Sequence, residues 1–179
     1  MDPVNVLRTM ERQGTSTADA LALFDSLPPV QVEDMLGNWH GAEVSTGNPL
    51  DGVLELSGWH GKRYYSAEDA HPLVMAGRRG LFAVNPALVP MGLAMRTAPV
   101  LRRLKLGRVV RGLLPLAKTR KPGARLRMVE YRNVVSGTMV YDAQPVNDHI
   151  RRVDEDTLFG AMDFRALDAP FMFTLHRED

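Results

Sequence analysis

The chain of 179 residues has no cysteine. That excludes disulfides, thiolate zinc sites, iron–sulfur clusters and cysteine nucleophiles, and it fits a reducing compartment. No stretch approaches the ~18 consecutive apolar residues of a membrane-spanning helix. The N-terminal run Met1-Asp2-Pro3-Val4-Asn5-Val6, with Glu11, Arg12 and Gln13 close behind, has neither the apolar segment nor the small-residue cleavage site of a secretory signal. The expected location is cytoplasmic. A net charge of +1 singles out no partner through the overall field. No phosphate loop is present, since Gly77-Arg78-Arg79-Gly80 lacks the glycine and lysine pattern. No Gly-X-Ser-X-Gly elbow occurs either.

Tryptophan is also scarce, at two residues, and both lie in similar small-residue boxes. Gly37-Asn38-Trp39-His40-Gly41 is followed by Trp59-His60-Gly61. A large ring between glycines marks a place where backbone passes close to a packed aromatic plug. Charge is segregated. Arg96, Arg102, Arg103, Lys105, Arg108, Arg111, Lys118, Arg120, Lys121, Arg125, Arg127 and Arg132 share their stretch with one acid, Glu130. The other acids lie before it or from Asp142 to Asp179.

Length and an apolar content of 45% fit a single domain, 1–179, with a substantial core. Residues 1–15 read as a loose start. Ser16 or Thr17 caps a helix carrying Leu21, Leu23, Phe24 and Leu27, which Pro28-Pro29 ends. Val30 to Leu36 reads as a further helical turn. Residues 39–66 read as β-rich, with a turn at Gly47–Gly52, a short strand over Val53–Leu56 and another from Trp59 to Tyr65. Weaker strands flank the Gly77–Gly80 turn. Residues 86–120 form a basic insertion of short amphipathic helices, broken by prolines and glycines. Short strands return from Leu126, reversed over Asn133–Gly137, and end on Phe171–Leu175. Many short antiparallel strands at close spacing predict a mainly β fold that curls into a barrel, with an N-terminal helix and the basic helical insertion.

Leu36-Gly37-Asn38-Trp39-His40-Gly41, Thr46-Gly47-Asn48-Pro49-Leu50 and Leu56-Ser57-Gly58-Trp59-His60-Gly61-Lys62-Arg63 resemble the GXWXG family, over roughly residues 22–80. Tyr131–Ser136, Met139–Asp148 and Val153–Asp163 resemble the DUF4334 family, over roughly 121–177. The two are commonly joined in bacterial proteins of this size. The resemblance implies an antiparallel lipocalin-like β-barrel and the binding of a lipid or other hydrophobic small molecule, of the fatty acid or phospholipid class. It supplies no catalytic residues. Gly-X-Trp after a short helical turn is also similar to the first lipocalin motif, in which the tryptophan closes one end of the barrel.

The ligand-binding residues expected are Trp39, Trp59, Tyr141, Asp142, Arg151, Leu101 and Leu104. Trp39 and Trp59 read as pocket floor or as packed plug. Tyr141, Asp142, Asp148, His149, Arg151 and Arg152 form the densest polar cluster. It is either a strand end tied by an Arg–Asp pair or a place where an arginine fork holds a ligand head group. Leu101 and Leu104, with Val100, Val109, Val110, Leu113 and Leu114, would face the ligand if the basic segment is a lid. Residues 96–121 could instead touch an anionic membrane or simply cover the core. Nucleic acid is not expected, because stacking aromatics are missing from the segment. His40 and His60 could approach one another, with Glu43, Asp142 or Asp148 completing a metal site. Neither box has the spacing of a known ligand cluster, so no metal is expected, nor any cofactor. Ten methionines fit an adaptable apolar interior. The leading expectation is a binding protein. The alternatives are an enzyme using Asp142 or Asp148 as base with Tyr141 or His149 as acid, and a module whose basic helices bind an acidic partner.

Overall fold

A computed structural model describes residues 2–89, 92, 103 and 107–178. Leu101 and Leu104, with Val100, lie outside the described residues. The strands are β1 (Gly37–Val44), β2 (Trp59–Ser66), β3 (Asp69–Gly77), β4 (Gly80–Val84), β5 (Lys118–Thr119), β6 (Ala124–Tyr131), β7 (Val134–Tyr141), β8 (Val146–Arg152), β9 (Thr157–Phe164) and β10 (Phe171–Glu178). Their spatial order is β2-β1-β10-β9-β8-β7-β6-β3, and β3 pairs back onto β2. Eight antiparallel strands thus close into a barrel, which leaves no free edge along that circuit. β4 and β5 extend outward from β3.

Among the described residues the α-helices are α1 (Pro3–Gln13), α2 (Thr17–Ser26), α3 (Val32–Met35), α4 (Val53–Ser57) and α5 (Gly107–Leu113). Residues 1–15 are not a loose start. Asp2 caps α1 by accepting from the Val4 N–H, and Pro3 occupies its first turn, where a missing N–H costs nothing. Ser16 caps α2 in the same way through the Asp19 N–H. Val53–Leu56 is helix rather than strand. The reason is tertiary: the Glu43 carboxylate, arriving from β1, accepts from the Gly52 and Glu55 N–H groups and satisfies the open first turn. Burial raises the Glu43 pKa, against those backbone bonds. The reversal after β6 is tighter than Asn133–Gly137. Arg132 and Asn133 alone make it, both at positive φ, as a two-residue hairpin turn demands.

Two apolar cores result. One fills the barrel and includes Trp39, Trp59, Tyr64, Met139, Phe171 and Phe173. The other lies outside the wall, where Leu7 of α1 and Phe24 of α2 cover Val44, Phe159, Ala161 and Met172. β9 is therefore buried on both faces, which explains its continuous run Leu158-Phe159-Gly160-Ala161-Met162.

The two tryptophan boxes interlock across β1 and β2. A Cβ on Gly41 would lie 2.0 Å from the Trp59 ring, and a Cβ on Gly61 would lie 1.8 Å from the Trp39 carbonyl oxygen. Each box's glycine thus makes room for the other box's tryptophan residue. The obstruction at Gly61 is backbone, which cannot swing aside. Gly61→Ala is expected to cost at least the upper part of the ~1–3 kcal/mol typical of overpacking. Gly112→Ala, at a helical position with nothing within 4 Å among the described residues, should be neutral or slightly stabilising. Denaturant unfolding of both variants measures the contrast.

Candidate functional site

A regular strand sends residues 59 and 62 to opposite faces. In β2 the register against β3 shifts between Trp59 and Gly61 and again between Gly61 and Arg63. These irregularities, made possible by Gly61, turn both Trp59 and Lys62 into the barrel. Trp59 donates its indole N–H to the Pro72 carbonyl at 3.3 Å and stands edge-on to Phe173, with centroids 6.3 Å apart.

Lys62 is 4% exposed, and its Nζ lies 2.8 Å from Oδ2 of Asp148, which is fully buried on β8. The ammonium also sits 4.8 Å from the Phe173 ring centroid, 5.5 Å from Trp59 and 5.9 Å from Tyr141. Aromatic faces attract a cation electrostatically, which offsets part of its desolvation. The Tyr141 hydroxyl reaches Asp148 Oδ2 at 3.4 Å. Burial raises the Asp148 pKa, while Lys62 pulls the other way. Burial and the Asp148 charge together push Tyr64 and Tyr141 well above the ordinary phenol value. Among the described residues Asp148 Oδ1 and the Tyr64 hydroxyl have no hydrogen-bond partner.

This ion pair stands beside an apolar cavity of about 150 Å³. Trp59, Lys62, Tyr141, Phe173, Met75 and Met162 form part of its wall. Val110 of α5 and Leu114 close another side, together with Val53 and Leu54 of α4. Arg111 ties the basic segment to α4 by donating to the Glu55 and Leu56 carbonyls.

The other sequence-derived residues lie elsewhere. Trp39 is a plug at one end of the barrel. Its indole donates to the Met35 carbonyl at 2.7 Å, and the Arg177 guanidinium lies 4.2 Å over its ring. Arg177 also donates to the Leu36 and Asp34 carbonyls, tying α3 to the strands. Asp142 is on the surface, bonded to Arg125 at 2.7 Å. It does not share a site with buried Asp148. Arg151 alternates with Asp148 along β8 and so faces outward, under α2, stacked 4.8 Å from the Phe24 centroid. His149 shares that outer side and stacks 3.9 Å from the Tyr131 centroid, with Thr138 Oγ1 at 3.0 Å. Period two therefore splits the polar cluster between the two faces of the wall. His40 and His60 do meet, with ring centroids 4.8 Å apart, and the neighbouring carboxylate is Glu178, bonded to His60 at 2.9 Å. Their ligating atoms lie within 4.8 Å of one another.

Lys62 was not among the residues expected at the site, although it sits inside the run Trp59-His60-Gly61-Lys62-Arg63. An uninterrupted strand with Trp59 turned inward would point it outward. The glycine between it and Trp59 was the available signal for a bulge.

Burial lowers the His149 pKa from 6.5 to about 4, helped by Arg151. The folded protein thus refuses a proton that the unfolded chain accepts. His149's contribution to stability is complete above about pH 6.5 and is lost as pH falls towards 4, by about 3 kcal/mol in all. Urea unfolding from pH 7 to 4.5 should show this loss in the natural chain and a flatter profile in His149→Gln.

Comparison with known proteins agrees with this architecture. A family described as GXWXG protein matches residues 22–80, and a domain of unknown function, DUF4334, matches residues 122–177. A crystal structure of a protein from Thermomonospora curvata is similar along its whole length, at 30% identity and a TM-score of 0.73, with 100% of each chain covered. No curated protein matches the sequence. With both family matches in order along one lipocalin-like barrel, the chain belongs to the GXWXG family, its C-terminal part being of the DUF4334 type.

Proposed function

We propose that this protein binds a hydrophobic small molecule, of the lipid class or similar in polarity, in the barrel cavity. One observation carries the reading: a space of about 150 Å³ walled by aromatic, methionine and aliphatic side chains, with a charged pair at one place. A packed core leaves few voids larger than a water molecule, and an apolar void of this volume holds a ring-sized guest. A lipid would occupy it with one end or a short chain. Met75 and Met162 adapt the wall to different shapes.

The described end of the basic segment, α5 with Leu114, acts as the lid. Val110 and Leu114 face the cavity, while Arg108 and Arg111 of α5 are exposed. A positive cleft beside it, lined by Arg78, Arg79, Arg108, Arg111 and Lys118, suits transient contact with anionic head groups as a guest enters. No helix among the described residues is long and apolar enough to cross a membrane. Acid–base chemistry on the same guest is a second reading, favoured by the approach of the Tyr141 hydroxyl to Asp148.

Affinity should come from buried apolar area, at about 0.8 kcal/mol per methylene. In a thermal-shift series from benzene through longer alkylbenzenes, stabilisation should rise while the guest fits and stop rising once the cavity is full. A flat response across the whole series would count against the proposal.

A further inference from the structure

The cavity wall carries a cation without carrying net charge. Lys62 and Asp148 neutralise one another at 2.8 Å, both almost wholly buried. An ammonium has three N–H donors. Among the described residues Asp148 is the hydrogen-bond partner of Lys62, and the rings of Trp59, Tyr141 and Phe173 flank the rest of the head. A guest reaching this point therefore meets an unused donor beside a buried negative charge.

Those two facts separate guests by charge. A neutral carbonyl or hydroxyl oxygen accepts from Lys62 and adds no charge to the site. A carboxylate must shed its hydration in an apolar wall and gains no free counter-charge in return. It would also stand near Asp148, whose like charge repels it. A hydrocarbon is admitted but leaves the donor unused.

We infer that the cavity selects neutral, oxygen-bearing apolar molecules (ketones, aldehydes, esters or alcohols) over carboxylates, with Lys62 as the donor and Asp148 as the resident counter-charge that excludes a second anion. This rests on the cavity being a ligand site and narrows it, taking free fatty acids out of the lipid class that the family resemblance implied.

The test uses three ring-sized probes at about pH 7, where the carboxylic acid is ionised: benzene, cyclohexanone and cyclohexanecarboxylate. Isothermal titration should show cyclohexanone binding about tenfold more tightly than benzene, the gain expected of one hydrogen bond to a charged donor, and cyclohexanecarboxylate not binding. In Asp148→Asn the resident charge is gone, and carboxylate affinity should rise at least about tenfold. If that variant does not fold, the carbonyl stretch of bound cyclohexanone serves instead. It should move to lower frequency with the natural chain and lose that shift with Lys62→Met. Carboxylate bound as tightly as ketone by the natural chain would overturn the selectivity. So would benzene and cyclohexanone binding equally, and in both cases the cavity reading would survive. Failure of all three probes would remove the cavity reading as well.

Discussion

The reciprocal fit of two tryptophan boxes is the constraint on which the rest of this structure depends. Gly41 leaves space for the Trp59 ring, and Gly61 leaves space for the Trp39 carbonyl. The same glycine allows the bulge that brings Lys62 inward beside Trp59. One local arrangement thus closes the β1–β2 corner, fixes one aromatic as plug and another as cavity wall, and buries a lysine. Without the bulge Trp59 and Lys62 could not both face the barrel interior.

The buried Lys62–Asp148 pair is an expensive way to hold two strands together. Desolvating two ions commonly consumes most of what their attraction returns, and well-packed apolar residues would serve stability as well or better. Three aromatic rings around the ammonium recover part of that cost. The pair stands beside the apolar cavity, with Lys62 in its wall. Arg151 shows the contrast. It is equally buried, but it is packed beneath α2 against Phe24, outside the wall and away from the cavity.

Much of the fold was legible in the sequence because barrel strands announce themselves by short alternating runs and dense turns. The closing strand Phe171–Leu175 and the Gly77–Gly80 hairpin were of that kind. What escaped depended on partners distant in sequence. α4 reads as a strand until Glu43 is seen to cap it from β1. α1 was legible in principle from Asp2-Pro3, but its apolar face finds its use only against the outer wall. The site divided in the same way. Trp59 and Tyr141 were singled out and line the cavity. Asp142 and Arg151 came from a cluster that strand alternation separates, and Lys62 was hidden by a bulge whose one local sign is Gly61. Leu101 and Leu104 fall outside the described residues.

The central claim is that the space bounded by Trp59, Phe173 and Met162 is open to an apolar guest. Crystals pressurised with xenon test it most directly, because xenon enters dry apolar cavities without needing a specific contact. The account predicts an anomalous peak between those three side chains, with Lys62 and Asp148 still paired. A wall collapsed onto itself, with no xenon at that place, would contradict it.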